Sequence, residues 1–425
     1  MNLQQRATET LDHIRAGGTH RRMRVLGGAQ STRMRVDGRE VWLFSGSNSL
    51  DLANHPEVVE AAARAARDHG CAAGGSRLIN GNLDLHAELE QELAKFLEVD
   101  ACLTFSTGYM ANVGVIPALA GHGDVVVSDA LSHASIIDGC RLSRADVRVF
   151  PHGDMDALES TLREVASSRR LVLLAIDGVY SMDGDVAPLE TMVALAKRWG
   201  AVVLLDDAHG TATLGATGRG SAELCGVSDA VDVYLGTLGK ALGSFGAFVA
   251  GSGALRDLLV NVARSFIFSC ALAPPQVAAA GAALRLTIRE PWRRTRLQEN
   301  AKRLRARLAE HGCSTAPSTT HIVPVIVGEN APTMEACEDL LNLGFYAQGI
   351  RHPSVPKGTA RLRLTPMATH ETAEIDDLAD AVSQVVARAH SNSETHSNSE
   401  TNSEKNSKTE SDTNSDTGPD TQGQH

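Results

Sequence analysis

Between about residues 100 and 250, short apolar runs alternate with segments of helical period. The runs are ACLTFS, DVVVSD, DVRVF, LVLLAID, AVVLLDD, DVYLG and GAFVAG. Most are flanked by Gly, Asp or Ser, and they lack strict apolar/polar alternation. Strands of that kind are covered on both faces, which predicts an α/β fold around a mostly parallel seven-stranded sheet. Upstream, residues 1–25 read as a polar, Arg-bearing helix and arm, and VWLFSGSNS reads as a strand ending in a turn. HPEVVEAAARAARDHG and HAELEQELAKFL read as amphipathic helices, the second with Leu89, Leu93 and Phe96 on one face.

Helices rich in Ala, Leu and Arg follow from about Pro274 to Glu310. A smaller α+β unit then starts near His321, with strands HIVPVIV and ARLRLT separated by the helix MEACEDLLNLG. The pattern divides the chain into an N-terminal helix and arm (1–47), a large domain (48–285), a small C-terminal domain (286–390) and a tail (391–425). The tail repeats Ser, Asn, Thr and Glu, cannot bury a core and is expected to be disordered.

Composition adds mainly exclusions. The 425 residues are 43 % hydrophobic and 21 % charged, with a formal net charge of −11. The tail holds seven Asp/Glu against two Lys, so it carries −5 of that charge and residues 1–390 carry −6. Such mild acidity predicts no nucleic-acid partner and no polybasic membrane patch. Seven scattered cysteines, none spaced CxxC, fit reduced thiols in a cytoplasmic protein. The polar start lacks a signal-peptide core, and no run of about 18 apolar residues predicts a membrane span.

The polar clusters fall at the carboxyl ends of predicted strands, where α/β sheets bind ligands: Ser106–Tyr109, Asp177–Ser181, Asp206–His209 and Thr237–Lys240. Lys240 lies in YLGTLGKALGSFG. It is not a Walker lysine, because Tyr234 stands at the first glycine position and Ala241 replaces the hydroxyl residue. A lysine in a tight, partly desolvated setting can lose its charge and form a Schiff base, and the flanking glycines are read as letting the backbone approach a flat ring. Asp206, 34 residues earlier, suits a buried heteroaromatic cation such as a protonated pyridine. Asp206, Asp207 and His209 are also a candidate metal set for a hydrolase. In FSTGYMAN, the amides near Gly108 and Tyr109 open a helix and suit a phosphate, and the Thr237 hydroxyl is a further phosphate donor. His133, in SDALSHASIIDG, is either structural or stacks on a cofactor ring.

Taken together, GGSRLINGNLDLHAELEQELAKFL, FSTGYMANVG, LSHASIIDG, DGVYSMDGDVAPL, DDAHGTATLGATGRGS, GTLGKALG and IRHPSVPKGTARLRLT resemble the α-oxoamine synthase family of fold-type I pyridoxal-phosphate enzymes over nearly all of residues 1–390. The resemblance implies a homodimer with the active site at its interface, condensing a small amino acid with an acyl-CoA or carrier-bound acyl group and releasing CO2. It implies that Lys240 carries pyridoxal 5'-phosphate and later moves the α-proton, that Asp206 pairs with the ring nitrogen, and that His133 stacks on the ring. Ser181 and His209 would lie near the phenolic oxygen, and Gly108, Tyr109 and Thr237 would hold the phosphate. Arg363 would bind the amino-acid carboxylate, with Arg21 and Ser354 as further substrate-binding residues. DDAHGTATLGATGRG and GIRHPSVPKGTARLRL are most similar to the branch that joins L-alanine to a pimeloyl thioester in biotin synthesis, whereas FSTGYMAN and SHASIIDGCRLS also resemble the serine-using branch; the serine- and glycine-using branches are the alternative functions. Two positions depart from the family pattern, Ser49 for a tyrosine and Cys270 for a hydroxyl residue. A non-catalytic scaffold recruiting a partner through the tail is the alternative outside enzymology.

Overall fold

All seven apolar runs form strands of one sheet in the computed structural model, which describes residues 1–166, 170–315 and 317–411. They are β1 (Ala101–Phe105), β2 (Val125–Asp129), β3 (Asp146–Phe150), β4 (Val172–Asp177), β5 (Val202–Asp206), β6 (Val233–Thr237) and β7 (Ala247–Gly251). Their spatial order is β1-β7-β6-β5-β4-β2-β3. Only β7 runs antiparallel, to both β1 and β6.

Neighbouring residues along a strand serve opposite faces. Leu174, Ile176, Val203 and Leu205 pack with helices Pro56–His69, Asp84–Leu97 and Pro274–Arg289 on one side. Leu173, Ala175, Leu204 and Leu235 pack with Gly108–Leu119 and Ala134–Ser143 on the other. That double cover is why the runs read as continuously apolar. β3 is the exception: it is one of the two sheet edges, and Val149 is 60 % exposed.

A second core belongs to the smaller unit, whose sheet β8 (Val323–Gly328), β9 (Gln348–Ile350) and β10 (Ala360–Leu364) is antiparallel with β10 in the centre. The arm does not stand apart from it. Strands Leu26–Gly27, Arg33–Val36 and Arg39–Leu43 form a sheet that Phe345–Tyr346 joins in parallel, and Phe44 is fully buried in the small unit's core. The arm's apolar positions Met34, Val36, Val41 and Leu43 need that partner to leave water.

The final helix runs from Thr372 to Ser411. Ile375, Leu378, Val382, Val385 and Ala389 dock it into the second core. Helical backbone thus continues over residues 391–411, where disorder was expected. It extends the turns begun by the docked segment, although the tail adds no apolar stripe of its own. The remaining tail, 412–425, lies outside the described residues. No helix of the described residues is long and apolar enough to cross a membrane.

Candidate active site

Parallel pairing brings the strand ends together: Asp177 of β4 is in register with Asp206 of β5, which in turn pairs with Leu235 of β6. Above them opens a cavity of about 160 Å³. Gly108, Tyr109, His133, Ser181, Asp206, His209, Thr237 and Lys240, read from the sequence as cofactor contacts, all line it. Ser135 and Asp177 line it as well and were not singled out individually.

The floor is built around Asp206, which is only 5 % exposed. Its Oδ1 accepts the Ala208 amide at 3.1 Å, and its Oδ2 accepts Nδ2 of Asn112 at 2.6 Å. The same Asn112 amide reaches Ser135 Oγ at 2.9 Å, while its Oδ1 is buried without a partner among the described residues. Sequence reading missed Asn112. The signal was present, because it is the single amide in the otherwise largely apolar helix Gly108–Leu119. Asp177 accepts the His133 amide at 3.0 Å, and burial, then the neighbouring Asp206 charge, hold its carboxyl well above the usual range.

The tandem aspartates face different ways. Asp207 accepts the Ser221 amide at 2.7 Å, the Ser221 hydroxyl at 2.8 Å and the Tyr234 hydroxyl at 3.0 Å; burial pushes its pKa up to about 6. It anchors the loop beneath the sheet, so Asp206, Asp207 and His209 do not converge as a metal set. Among the described residues the one group with ligand atoms close together is His55, Glu57 and Glu290, where arginines already pair with both carboxylates.

Burial lowers the Lys240 amine to about 8; the Asp206 charge opposes this and Arg363 reinforces it. His209 is driven far below its usual value by burial and by Lys240, so its ring is neutral. His133 lies exposed at the lip, with Nδ1 2.7 Å from Ser135 Oγ. At the opposite end, Thr107 caps the helix by accepting the Met110 amide at 3.1 Å. The Gly108 and Tyr109 amides are left without partners among the described residues, beside Thr237, whose hydroxyl donates to Ala208 O at 3.0 Å. Tyr109 itself turns its hydroxyl out to Asp138.

The glycines around Lys240 have a different task from the one expected. A Cβ on Gly236 would lie 2.3 Å from the Phe248 ring, and one on Gly243 (φ +60°) 2.4 Å from the Ala53 amide. Neither lines the cavity; they let the lysine loop fold tightly against its neighbours.

Arg363 projects from β10, and its Nε donates to Ser181 O at 2.6 Å. Among the described residues its two Nη groups have no hydrogen-bond partner, and burial lowers its pKa to about 10. Arg21 and Ser354 are not in the Lys240 cavity. They share a second one of about 290 Å³, with Arg22, Arg24 and Arg351 on its walls. Ser49 is buried, its hydroxyl donating to Ser47 O at 3.3 Å, and the exposed Cys270 pairs by backbone with Ser76.

The family model for aminotransferase class I and II matches residues 39–382. The chain belongs to this family. It is 48 % identical over 383 residues to the 8-amino-7-oxononanoate synthase of Citrifermentans bemidjiense, covering 90 % of this chain and 98 % of that one. With the synthase of the same name from Geobacter metallireducens it is 51 % identical over 382 residues, covering 89 % and 96 %. Among solved structures it is similar to a serine palmitoyltransferase from S. paucimobilis that holds a PLP–myriocin aldimine. The TM-score there is 0.87 at 32 % identity, over 92 % of this chain and all of that one. An 8-amino-7-oxononanoate synthase from Francisella tularensis shares the fold, with a TM-score of 0.70 at 24 % identity over 82 % and 99 % of the two chains. The resemblance read from the motifs therefore holds.

Proposed function

We propose that the protein joins L-alanine to a pimeloyl thioester with loss of CO2, giving 8-amino-7-oxononanoate for biotin synthesis, with pyridoxal 5'-phosphate as cofactor. The observation that carries this reading is the convergence of an amine with lowered pKa, a fixed buried carboxylate and unpartnered helix amides in one cavity. Its donor set fits a flat phosphorylated pyridine. The carboxylate would meet the ring nitrogen at the floor, the Gly108 and Tyr109 amides, with Thr237 beside them, would meet the phosphate, and Lys240 would meet the aldehyde. All of these groups line one cavity of about 160 Å³, and Asn112 acts through Asp206. Bound there, the cofactor supplies an electron sink for bonds broken at the amino-acid α-carbon.

The chain's own residues do the rest. Asp206, oriented by Asn112 and the Ala208 amide, would hold a proton on the ring nitrogen. Arg363 has one donor engaged by Ser181 O, which aims its free fork at the amino-acid carboxylate. Lys240, whose lowered pKa leaves a substantial neutral fraction near physiological pH, would take and return the α-proton. His209, neutral and in the same cavity, and Ser181 would hydrogen-bond the ring oxygen, while His133 would cover the ring from the lip. The arginine-lined second cavity, with Arg21 and Ser354, takes the anionic acyl thioester, whether on CoA or on a carrier protein.

A cytoplasmic homodimer with the site at its interface completes the reading. All seven cysteines are free. Leu78, Ile79 and Phe268, at 53 %, 82 % and 69 % exposure, flank the Ser76–Cys270 pairing and await cover. Identity near 50 % to the 8-amino-7-oxononanoate synthases, against 32 % to the serine palmitoyltransferase, supports alanine as the amino acid. The test is turnover of Ala, Gly, Ser and Thr against acyl-CoAs of graded length and terminal charge. Alanine with pimeloyl-CoA should dominate; preference for serine with palmitoyl-CoA would overturn the assignment.

A further inference from the structure

β10 carries two arginines on one face, Arg361 and Arg363; the family resemblance singles out Arg363, but spacing and residue type alone do not separate them. The structure does. Arg361 is 4 % exposed and its donors are engaged by protein. Its Nε donates to Thr359 O at 3.0 Å and Nη2 to Thr359 Oγ1 at 3.2 Å. Its Nη1 reaches Asp183 Oδ1 at 2.5 Å and Met182 O at 3.3 Å. Arg363 commits only Nε, to Ser181 O. The two guanidinium groups therefore grip three consecutive residues, 181 to 183, of one hairpin.

That hairpin, residues 178–186, belongs to the large domain. Val179 pairs with Val186, the Tyr180 amide donates to Asp185 O at 3.1 Å, and Gly178 donates to Asp206 O at 2.8 Å. At its tip Gly184 O accepts the Thr319 and Thr320 amides and the Thr320 hydroxyl. A Cβ on Gly184 would lie 2.0 Å from Ile322 O, so the tip is pressed against the entry to β8. On the far side Asp185 Oδ2 meets His152 Nε2 at 3.1 Å, and His152 Nδ1 meets Asp129 Oδ1 at 3.0 Å. With both ring nitrogens facing carboxylates, His152 is an imidazolium that ties the hairpin to the end of β2.

We infer that the 178–186 hairpin is a latch between the two domains, and that Arg361 and Asp183 are a positioning pair that sets the angle at which Arg363 presents its fork to the amino-acid carboxylate. The inference rests on the proposed role of Arg363. Each of the three Arg361 nitrogens already bonds protein, which leaves no free fork for a substrate carboxylate. Its effect passes through the hairpin carbonyl that fixes Arg363 Nε.

The experiment uses the cofactor-loaded enzyme and measures KM for L-alanine and for pimeloyl-CoA separately, together with the spectral titration of bound cofactor by L-alanine alone. Arg363→Lys tests the parent reading: an unchanged alanine KM there sinks that reading directly. Asp183→Asn, nearly isosteric at a partly exposed position, should raise the alanine KM and the spectral Kd about tenfold. The thioester KM should stay within about twofold and cofactor content should be unchanged. Arg361→Lys should show the same split, and the double variant should be no worse than the worse single one, because the pair acts as a unit. If Arg363→Lys is impaired while Asp183→Asn and Arg361→Lys shift both KM values together, or neither, the latch is refuted and the role of Arg363 stands.

Discussion

Burial and two opposed charges set the acidity of Lys240, and each can be removed separately. At a pKa of about 8, against the usual 10.5, roughly a quarter of the amine is neutral at pH 7.5, compared with roughly a thousandth for an exposed lysine. That is a gain of about two orders of magnitude in the form able to attack an aldehyde or accept a proton. The Asp206 carboxylate holds the value up and Arg363 pushes it down, so Asp206→Asn should lower the midpoint and Arg363→Met should raise it. Each change should be on the order of one pH unit, the usual effect of a single nearby charge. Competitive acetylation of the cofactor-free enzyme between about pH 6 and pH 11, with Lys240 followed by peptide mass, reads the midpoint directly. Reactivity should rise with pH through about 8. A midpoint near the usual lysine value, or substitutions that shift it in the same direction, would refute the electrostatic account.

Two further outcomes follow from geometry already described. His152 is raised to about 10 by its hydrogen bonds to Asp129 and then Asp185, so its stabilisation is complete below about pH 6.5 and fades as pH climbs towards 10. The full rise corresponds to a ceiling of about 5 kcal/mol, and with the ring 28 % exposed, screening reduces it to about 2 kcal/mol. Spread over the unfolding entropy of roughly 390 residues, that is a Tm difference of about 2–3 °C between wild type and His152→Gln. The gap should be present near pH 6 and nearly absent by pH 10; one that is constant with pH counts against the double ion pair. Asn112→Leu removes the 2.6 Å donor from Asp206 and should weaken cofactor retention about tenfold, as expected for a hydrogen bond to a charged group. Equilibrium titration of the cofactor-free protein measures this, and unchanged affinity would leave Asn112 without the orienting role.

The sheet was legible because each inner strand buries both faces, and an apolar run that short between turn residues cannot complete a buried helix. The cavity was legible because parallel strands end on one side, so polar residues at successive strand ends had to meet. Three features were not legible. The arm pairs with Phe345–Tyr346 some 300 residues away, and no local pattern announces a partner at that distance. The resemblance named Arg363 but gave Arg361, on the same face two residues away, no task; its grip on Met182 and Asp183 shows only in the hydrogen bonds. The glycines beside Lys240 suggested room for a ring, but Gly236 and Gly243 answer to Phe248 and Ala53. A glycine shows that something lies close without showing what.

The lining of the Lys240 cavity is drawn from residues 108 to 240, its lysine loop is braced by the backbone at Ala53, and its arginine arrives from residue 363. During synthesis, therefore, the sheet and the lysine can be in place well before the carboxylate-binding fork exists. A nascent or prematurely ended chain would carry Lys240, the proposed anchor, without Arg363, the residue proposed to select an amino acid for it. Such a fragment would be a reactive amine in an unguarded pocket, and selectivity is the last property the growing polypeptide acquires.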